Sequence, residues 1–353
     1  MATLETQIPL PILDGHQHAR PAYARGPRSI DSLRLLRISV TDRCNLRCVY
    51  CMPEKGVKFL PRTALLSPGQ IETVARTARD LGVTHVKLTG GEPTVRRELL
   101  EIVRRLDAIG FEDVSLTTNG LQLNRLAAPL REAGVDRITL SIDSLRADRY
   151  RKITGGGRLD LVHQGIESAR AAGFSRIKIN MVVIRGLNDD EVADFAELAR
   201  EEAWTIRFIE YMPLGESRVL EDFDGGDEAP GLLENHEVRS RIETRIGPLF
   251  PVNRASETGV GPAEVFTSEG LRGRIGFISA MSQPFCEQCN RLRLTATGVL
   301  RACLFDGGEI DLGPMLRAGA DTASLAGAFQ SCVAMKPETH SARGGRQMSQ
   351  LGG

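Results

Sequence analysis

The stretch TDRCNLRCVYC (residues 41–51) sets Cys44, Cys48 and Cys51 in a C-x3-C-x2-C spacing, directly after the apolar run LLRISV (35–40). A thiolate holds one iron of an iron–sulfur cluster, and a [4Fe–4S] cube is ordinarily held by four protein thiolates. Three closely spaced cysteines therefore leave one iron open to a ligand that is not protein. The spacing departs from the C-x2-C-x2-C-x3-C-P run of bacterial ferredoxins, and no nearby histidine completes a zinc finger, which would need four closed ligands. The plainer alternative is three buried core cysteines after a strand; free cysteine is often buried but seldom so tightly grouped.

Outward from this stretch, β-rich apolar runs alternate with helical patterns at intervals of about 25 to 35 residues, the signature of βα units and a parallel sheet. The runs are LLRISV, HVKLTG (85–90), DVSLTTNG (113–120), RITLSID (137–143), RIKINMVVI (176–184) and TIRFIEY (205–211). Between them, SPGQIETVARTARDLG opens with Ser67 as N-cap and Pro68 at the first helical position, and RELLEIVRRLDAIG and NRLAAPLREAG are each stopped by glycine. Six βα units are too few to close an eight-stranded barrel. The expected fold is α/β, an incomplete (βα)6 barrel with its site at the C-terminal ends of the strands.

Residues 1–28 hold four prolines and no periodicity and read as a flexible leader, followed by the partial barrel over 29–215. Residues 216–270 read as a connecting segment, acidic and turn-rich with one helical pattern, LLENHEVRSRIETRIG. A smaller α+β region over 271–353 contains RIGFISAM (274–281) and NRLRLTATGVLRACLF (290–305), strands around a turn at Thr297-Gly298. It carries a second trio, Cys286, Cys289 and Cys303, spaced C-x2-C-x13-C. A zinc ribbon would need a fourth ligand, and Cys332 sits in a helical pattern where a small buried side chain is its natural role. Two incomplete thiolate sets are hard to read as structural staples, because a staple gains nothing from an unfilled coordination position.

Composition narrows the partners. The chain of 353 residues has 45 Lys plus Arg and 45 Asp plus Glu, so net charge points neither to nucleic acid nor to a membrane surface, and recognition of a polyanion must be local. No apolar run approaches the length needed to span a bilayer, and seven cysteines in two groups and a singleton suit reduced, metal-ligating thiols better than disulfides. A cytoplasmic protein without membrane or nucleic-acid partner is the expectation. There is no G-x-x-x-x-G-K-[ST] loop, so any phosphates must be held by separate cations, and Arg291 and Arg293, alternate residues of one strand, can face one ligand together.

The first cysteine stretch, with Tyr50 directly before its last cysteine, and GGEP (90–93) after the second strand run resemble the cluster and cofactor motifs of radical S-adenosylmethionine (SAM) enzymes. In order, TDRCNLRCVYCMP, TGGEP, TTNG, SIDSL, KIN, RFIEYMPLG, FCEQCNRLRLTATG, CLF and the terminal GG resemble the GTP 3′,8-cyclase family of molybdenum cofactor biosynthesis. That resemblance implies a radical cyclisation of GTP to (8S)-3′,8-cyclo-7,8-dihydroguanosine 5′-triphosphate, two [4Fe–4S] clusters, and SAM as cofactor. It implies that Cys44, Cys48 and Cys51 hold the cluster that reductively cleaves SAM, and that Tyr50, Gly91, Ser141 and Met212 contact SAM. It implies that Arg37, Lys87, Thr117, Lys178, Arg291, Leu292 and Arg293 contact GTP, that Cys286, Cys289 and Cys303 hold the second cluster against the guanine, and that Gly352 and Gly353 reach into the cavity beside the catalytic Arg291 and Arg293. Position 87 is arginine in some relatives; lysine keeps the charge but offers less bidentate geometry. Implied partners are a reductant such as a flavodoxin or ferredoxin and the downstream cyclic pyranopterin monophosphate synthase, and the pattern is compatible with a homodimer.

Two other readings stay open on sequence. A peptide-modifying or sulfatase-maturing radical SAM enzyme would ordinarily carry more C-terminal cysteines and has no use for the cationic set. A non-catalytic iron–sulfur or zinc module has no use for GGEP and a binding face at the strand ends, and aromatics at 5% argue against an RNA-binding surface.

Overall fold

The computed structural model describes residues 26–53, 57–215, 231–253, 259–341 and 351. In chain order the barrel elements are β1 (Leu35–Ser39), α1 (Pro68–Asp80), β2 (His85–Thr89), α2 (Leu99–Asp107), β3 (Asp113–Thr118), α3 (Leu123–Glu132), β4 (Arg137–Ser141), α4 (Ala147–Ile153), α5 (Leu159–Ala171), β5 (Lys178–Val183), α6 (Val192–Glu201) and β6 (Thr205–Glu210). The helices begin and bury as their sequences dictate. Ser67 Oγ accepts from Gln70 N while the Gln70 side chain accepts from Ser67 N, a reciprocal cap that satisfies two otherwise orphaned donors ahead of Pro68. In α2 the buried residues are Leu99, Ile102, Val103 and Leu106, a stripe at helical spacing that lies against the sheet.

The C-terminal region continues with α7 (Asn235–Ile246), β7 (Phe250–Pro251), β8 (Glu264–Thr267), β9 (Arg274–Ile278), β10 (Arg291–Leu294), β11 (Val299–Arg301), β12 (Glu309–Asp311), α8 (Gly313–Arg317) and α9 (Thr322–Ala334). Its strands do not form a sheet of their own. Among the described residues all twelve strands make one sheet, ordered β12-β11-β10-β1-β2-β3-β4-β5-β6-β9-β8-β7. β10 runs parallel to β1, and β9 runs parallel to β6. The C-terminal region thus adds one parallel strand to each edge of the partial barrel, and the chain from Ile278 to Arg291 must pass from one edge to the other. That crossover carries Cys286 and Cys289.

The connecting segment expected over 216–270 contains α7 as predicted and, in addition, β7 and β8, which pair antiparallel along the β9 edge. Of the expected leader, residues 1–25 lie outside the described residues, whereas Arg28 is tied down, its Nε donating to Lys336 O at 2.8 Å.

The core sits on the outer face of the sheet. Leu36, Ile38, Val86, Leu88, Val114, Leu116, Ile138 and Leu140 are fully or almost fully buried beneath the helices. Alternation then dictates the inner face, and there the same strands present Arg37, Lys87, Ser115, Thr117 and Thr139. A closed barrel fills its interior with branched apolar side chains. This open one lines it with charge and hydroxyls.

Candidate active site

The cysteine loop begins where β1 ends and is held from two sides by backbone. Gly91 N donates to Thr41 O at 2.8 Å and Glu92 N to Arg43 O at 2.8 Å; on the other side Arg47 N donates to Thr154 O and Val49 N to Ile153 O, each at 2.9 Å. A Cβ on Gly90 would lie 2.5 Å from Thr41 O, and one on Gly91 2.4 Å from Arg43 O. The close approach that these two glycines permit is that of the cysteine loop's own backbone. Side chains complete the clamp. Asn119 Nδ2 donates to Asn45 Oδ1 at 2.8 Å, and Tyr50 Oη donates to Asp143 Oδ2 at 2.8 Å.

Glu92, fully enclosed, organises this end of the barrel. Its carboxylate accepts from Thr94 N, Thr94 Oγ1, Thr118 Oγ1 and Asn119 N, so GGEP and TTNG are joined through one side chain. Glu210 does the same at β6, accepting from Asn235 N, Met281 N, Ser282 N and the Ser282 hydroxyl, which anchors α7 and the start of the crossover.

Both cysteine trios open on a single cavity inside the barrel, whose volume of about 320 Å³ falls within the ~300–1,000 Å³ usual for small-molecule sites. Burial pushes the Cys44 thiol up to about 11, and burial with Asp143 and the neighbouring thiols raises Cys48. In the second trio burial raises Cys286. Burial also opposes ionisation of Cys289, but Arg291 and Lys336 outweigh it and hold its thiol below the ordinary value. Within each trio the thiols lie near enough to raise one another. Among the described residues no three His, Cys, Asp or Glu side chains converge on a single-ion position, whereas thiolates holding different irons of a cube sit at its separate corners. Two sets of three free thiols facing one cavity therefore fit two iron–sulfur cubes, each with an open iron, and the cationic iron supplies the charge that makes these enclosed thiolates affordable.

Between the trios the cavity wall is cationic. Arg37 lies opposite Lys87 on β2 and opposite Arg293 on β10, and Arg207 on β6 lies opposite Asn180 on β5. Lys87 Nζ and Arg207 Nη2 both donate to Thr139 Oγ1, at 3.4 and 3.3 Å, so two enclosed cations share one neutral hydroxyl. Among the described residues, Arg207 Nε and Arg293 Nη1 are buried without a hydrogen-bond acceptor. Burial first, and then the neighbouring cations, lower Arg37 and Lys87 well below their ordinary values, Arg207 to about 10 and Arg293 to about 9. Among the described residues the carboxylates of the wall are engaged elsewhere: Glu92 and Glu210 in the bonds above, Asp143 with Tyr50 and Val182 N, and Asp113 in a bidentate pair with Arg137. Enclosed cations gathered in this way favour an anion in the cavity, where charge-assisted hydrogen bonds can form.

Every predicted SAM residue, Tyr50, Gly91, Ser141 and Met212, lines the cavity, clustered at the C-terminal ends of the strands. Arg37, Lys87, Thr117, Lys178, Arg291 and Arg293 line it deeper along the strands, with the Arg291 guanidinium 4.9 Å from the Phe285 ring centre. Leu292 does not: it is fully buried in the core on the opposite face of β10 from the two arginines that flank it. Gly352 and Gly353 lie outside the described residues, although Leu351 before them is buried. Cys332 is buried in α9 with its thiol 3.5 Å from Gly308 O, the role expected of it. Sequence reasoning did not assign Arg207, Asn180, Asp143 or Asn119 to the site. Each stands within a quoted mark, RFIEY, KIN, SIDSL or TTNG, and the inward phase of its strand was the available signal.

Comparison with known proteins agrees with this geometry. Residues 38–199 match the model of the radical SAM superfamily and residues 204–342 that of Molybdenum Cofactor Synthesis C. The chain is 49% identical to the GTP 3′,8-cyclase of Pelotomaculum thermopropionicum and 48% identical to that of Moorella thermoacetica, each over 326 residues covering 91% of this chain and 98% of the relative. In fold it is similar to Streptococcus suis SuiB bound to S-adenosylmethionine, with a TM-score of 0.55 over 85% of this chain and 68% of that one at 14% identity. The chain belongs to the GTP 3′,8-cyclase family of radical SAM proteins.

Proposed function

We propose that this protein converts GTP to 3′,8-cyclo-7,8-dihydro-GTP, the opening reaction of molybdenum cofactor biosynthesis. The observation that carries the reading is the enclosed cationic wall placed between two thiol trios in one cavity. When bound, the clusters and SAM supply the one-electron chemistry and a coordination seat for the guanine.

The chain's own residues do the holding. Arg37, Lys87, Lys178, Arg207, Arg291 and Arg293 bind the triphosphate by charge-assisted hydrogen bonds, and their mutual repulsion in the empty cavity makes that binding more favourable. Thr117 and the backbone of Leu292 orient the nucleoside. Tyr50, Gly91, Ser141 and Met212 place SAM against the first trio, and Asp143 keeps Tyr50 in position. Cys286, Cys289 and Cys303 hold the second cluster. The terminal Gly352 and Gly353 enter beside the substrate, where a side chain would obstruct. A low-potential carrier such as a flavodoxin or ferredoxin delivers the electron, and a cyclic pyranopterin monophosphate synthase consumes the product. The proposal places the protein in the cytoplasm and allows a homodimer. Among the described residues no helix is long and apolar enough to cross a membrane.

Anaerobically reconstituted protein given SAM, GTP and dithionite is expected to release the cyclised nucleotide, read by chromatography and mass spectrometry. SAM cleavage without any cyclised GTP would overturn the reading.

A further inference from the structure

Lys336 is a buried cation that neither the cavity wall nor the core requires. It follows α9, its N–H donating to Val333 O at 3.2 Å, and only 3% of it is exposed. Arg28 holds its carbonyl, and its own Nζ donates to Cys289 O at 2.7 Å. An ammonium so enclosed needs a counter-charge. Among the described residues no carboxylate pairs with it; its ionisable neighbours are the thiols of Cys289, Cys303 and Cys332 together with another cation, Arg291. The Cys332 thiol is engaged by Gly308 O, which leaves the second trio, joined to Lys336 through Cys289, to supply the counter-charge.

We propose that Lys336 is a positioning residue for the second cysteine trio. It fastens the Cys289 backbone and supplies the positive charge that raises the reduction potential of the iron–sulfur group held there. This inference rests on the reading of that trio as a cluster site. A three-thiolate [4Fe–4S] cube gains a further negative charge on reduction, and a fixed cation beside one of its thiolates stabilises the reduced form more than the oxidised one; charge and hydrogen bonding near the sulfurs are established determinants of cluster potential. Lysine suits the place because its compact ammonium reaches the Cys289 carbonyl and there adds a positive charge beside the trio.

The test is redox titration, followed by electron paramagnetic resonance, of the reconstituted full chain carrying Cys44→Ser, Cys48→Ser and Cys51→Ser, so that only the second trio contributes a signal. In that background Lys336→Met is expected to retain the signal with a midpoint shifted to more negative potential, and Lys336→Arg to restore the original midpoint. Loss of bound iron in Lys336→Met with retention in Lys336→Arg supports the same role, since the charge is then what the cluster needs. An unchanged midpoint in Lys336→Met overturns the inference, as does equal loss of iron in both variants, which would mark Lys336 as a packing element. Absence of any second-trio signal with Lys336 intact would overturn the cluster reading itself, and is distinguished from the other outcomes by the control sample alone.

Discussion

Tyr50 donates its hydroxyl to Asp143 at 2.8 Å, tying the cysteine loop to the end of β4 across 93 positions of sequence. The tyrosine belongs to the first cluster motif and the aspartate to SIDSL, a mark with no obvious chemistry of its own. Their pairing shows what that mark is for. Asp143 also accepts from Val182 N at 2.9 Å, so the loop, β4 and β5 are locked at one carboxyl group.

The enclosure of Asp143 carries a pH signature. Burial pushes the Asp143 carboxyl from 3.8 up to about 6. A carboxyl raised on folding stabilises the native state below its unfolded value and loses that contribution as pH rises through the folded one. This group therefore removes up to about 3 kcal/mol of stability between about pH 4 and pH 6. Urea unfolding of the apoprotein across that window is expected to show the decline, and Asp143→Asn to lack that component. An identical slope in the variant would refute the assignment.

Gly91→Ala forces a Cβ to within 2.4 Å of Arg43 O, a backbone atom that cannot swing aside. Overpacking of this kind costs about 1–3 kcal/mol, and here the strain falls on the loop that carries Cys44. The variant is expected to lose iron from the first trio while the second trio stays loaded, as counted by iron analysis and spin resonance. Full iron at both sites would show that the loop yields.

Replacing Cys44, Cys48 or Cys51 by Ser is expected to abolish SAM cleavage, because the electron then has no route to the cofactor. The same change at Cys286, Cys289 or Cys303 is expected to leave uncoupled SAM cleavage and stop cyclisation, because substrate placement alone is lost. Near-normal cyclised GTP from the second set would remove that trio from the reaction.

Arg291→Ala and Arg293→Ala are each expected to weaken GTP binding by about 1.5–3 kcal/mol, roughly ten- to a hundred-fold, with the first trio's iron unaffected. Calorimetry on the reconstituted protein measures this directly. Arg293, more enclosed and with one nitrogen lacking an acceptor, is expected to show the larger loss. Unchanged affinity in both variants would sink the phosphate assignment.

Deleting Gly352 and Gly353, or adding a C-terminal tag, is expected to abolish cyclised GTP while both clusters assemble and GTP still binds. Full product formation by the truncated protein would return those residues to an idle tail.

Strand and helix phase, the N-cap at Ser67 and both cysteine trios were legible in the sequence, because each is written within a few consecutive residues: alternation, a capping side chain ahead of Pro68, thiols at fixed spacing. Tertiary structure alone decided the rest. Nothing local says that β9 and β10 join opposite edges of the same sheet, since a four- or five-residue strand carries no label for its partner. Nor could the sequence show that the paired glycines accommodate backbone from the cysteine loop, or that Leu292 turns away from the cavity its neighbours line. The charge of the site is the clearest case. Arg37, Lys87, Arg207 and Arg293 are scattered over more than 250 positions in a chain of zero net charge, and only strand register brings them face to face. Burial then makes their proximity costly, and a polyanion is what relieves it.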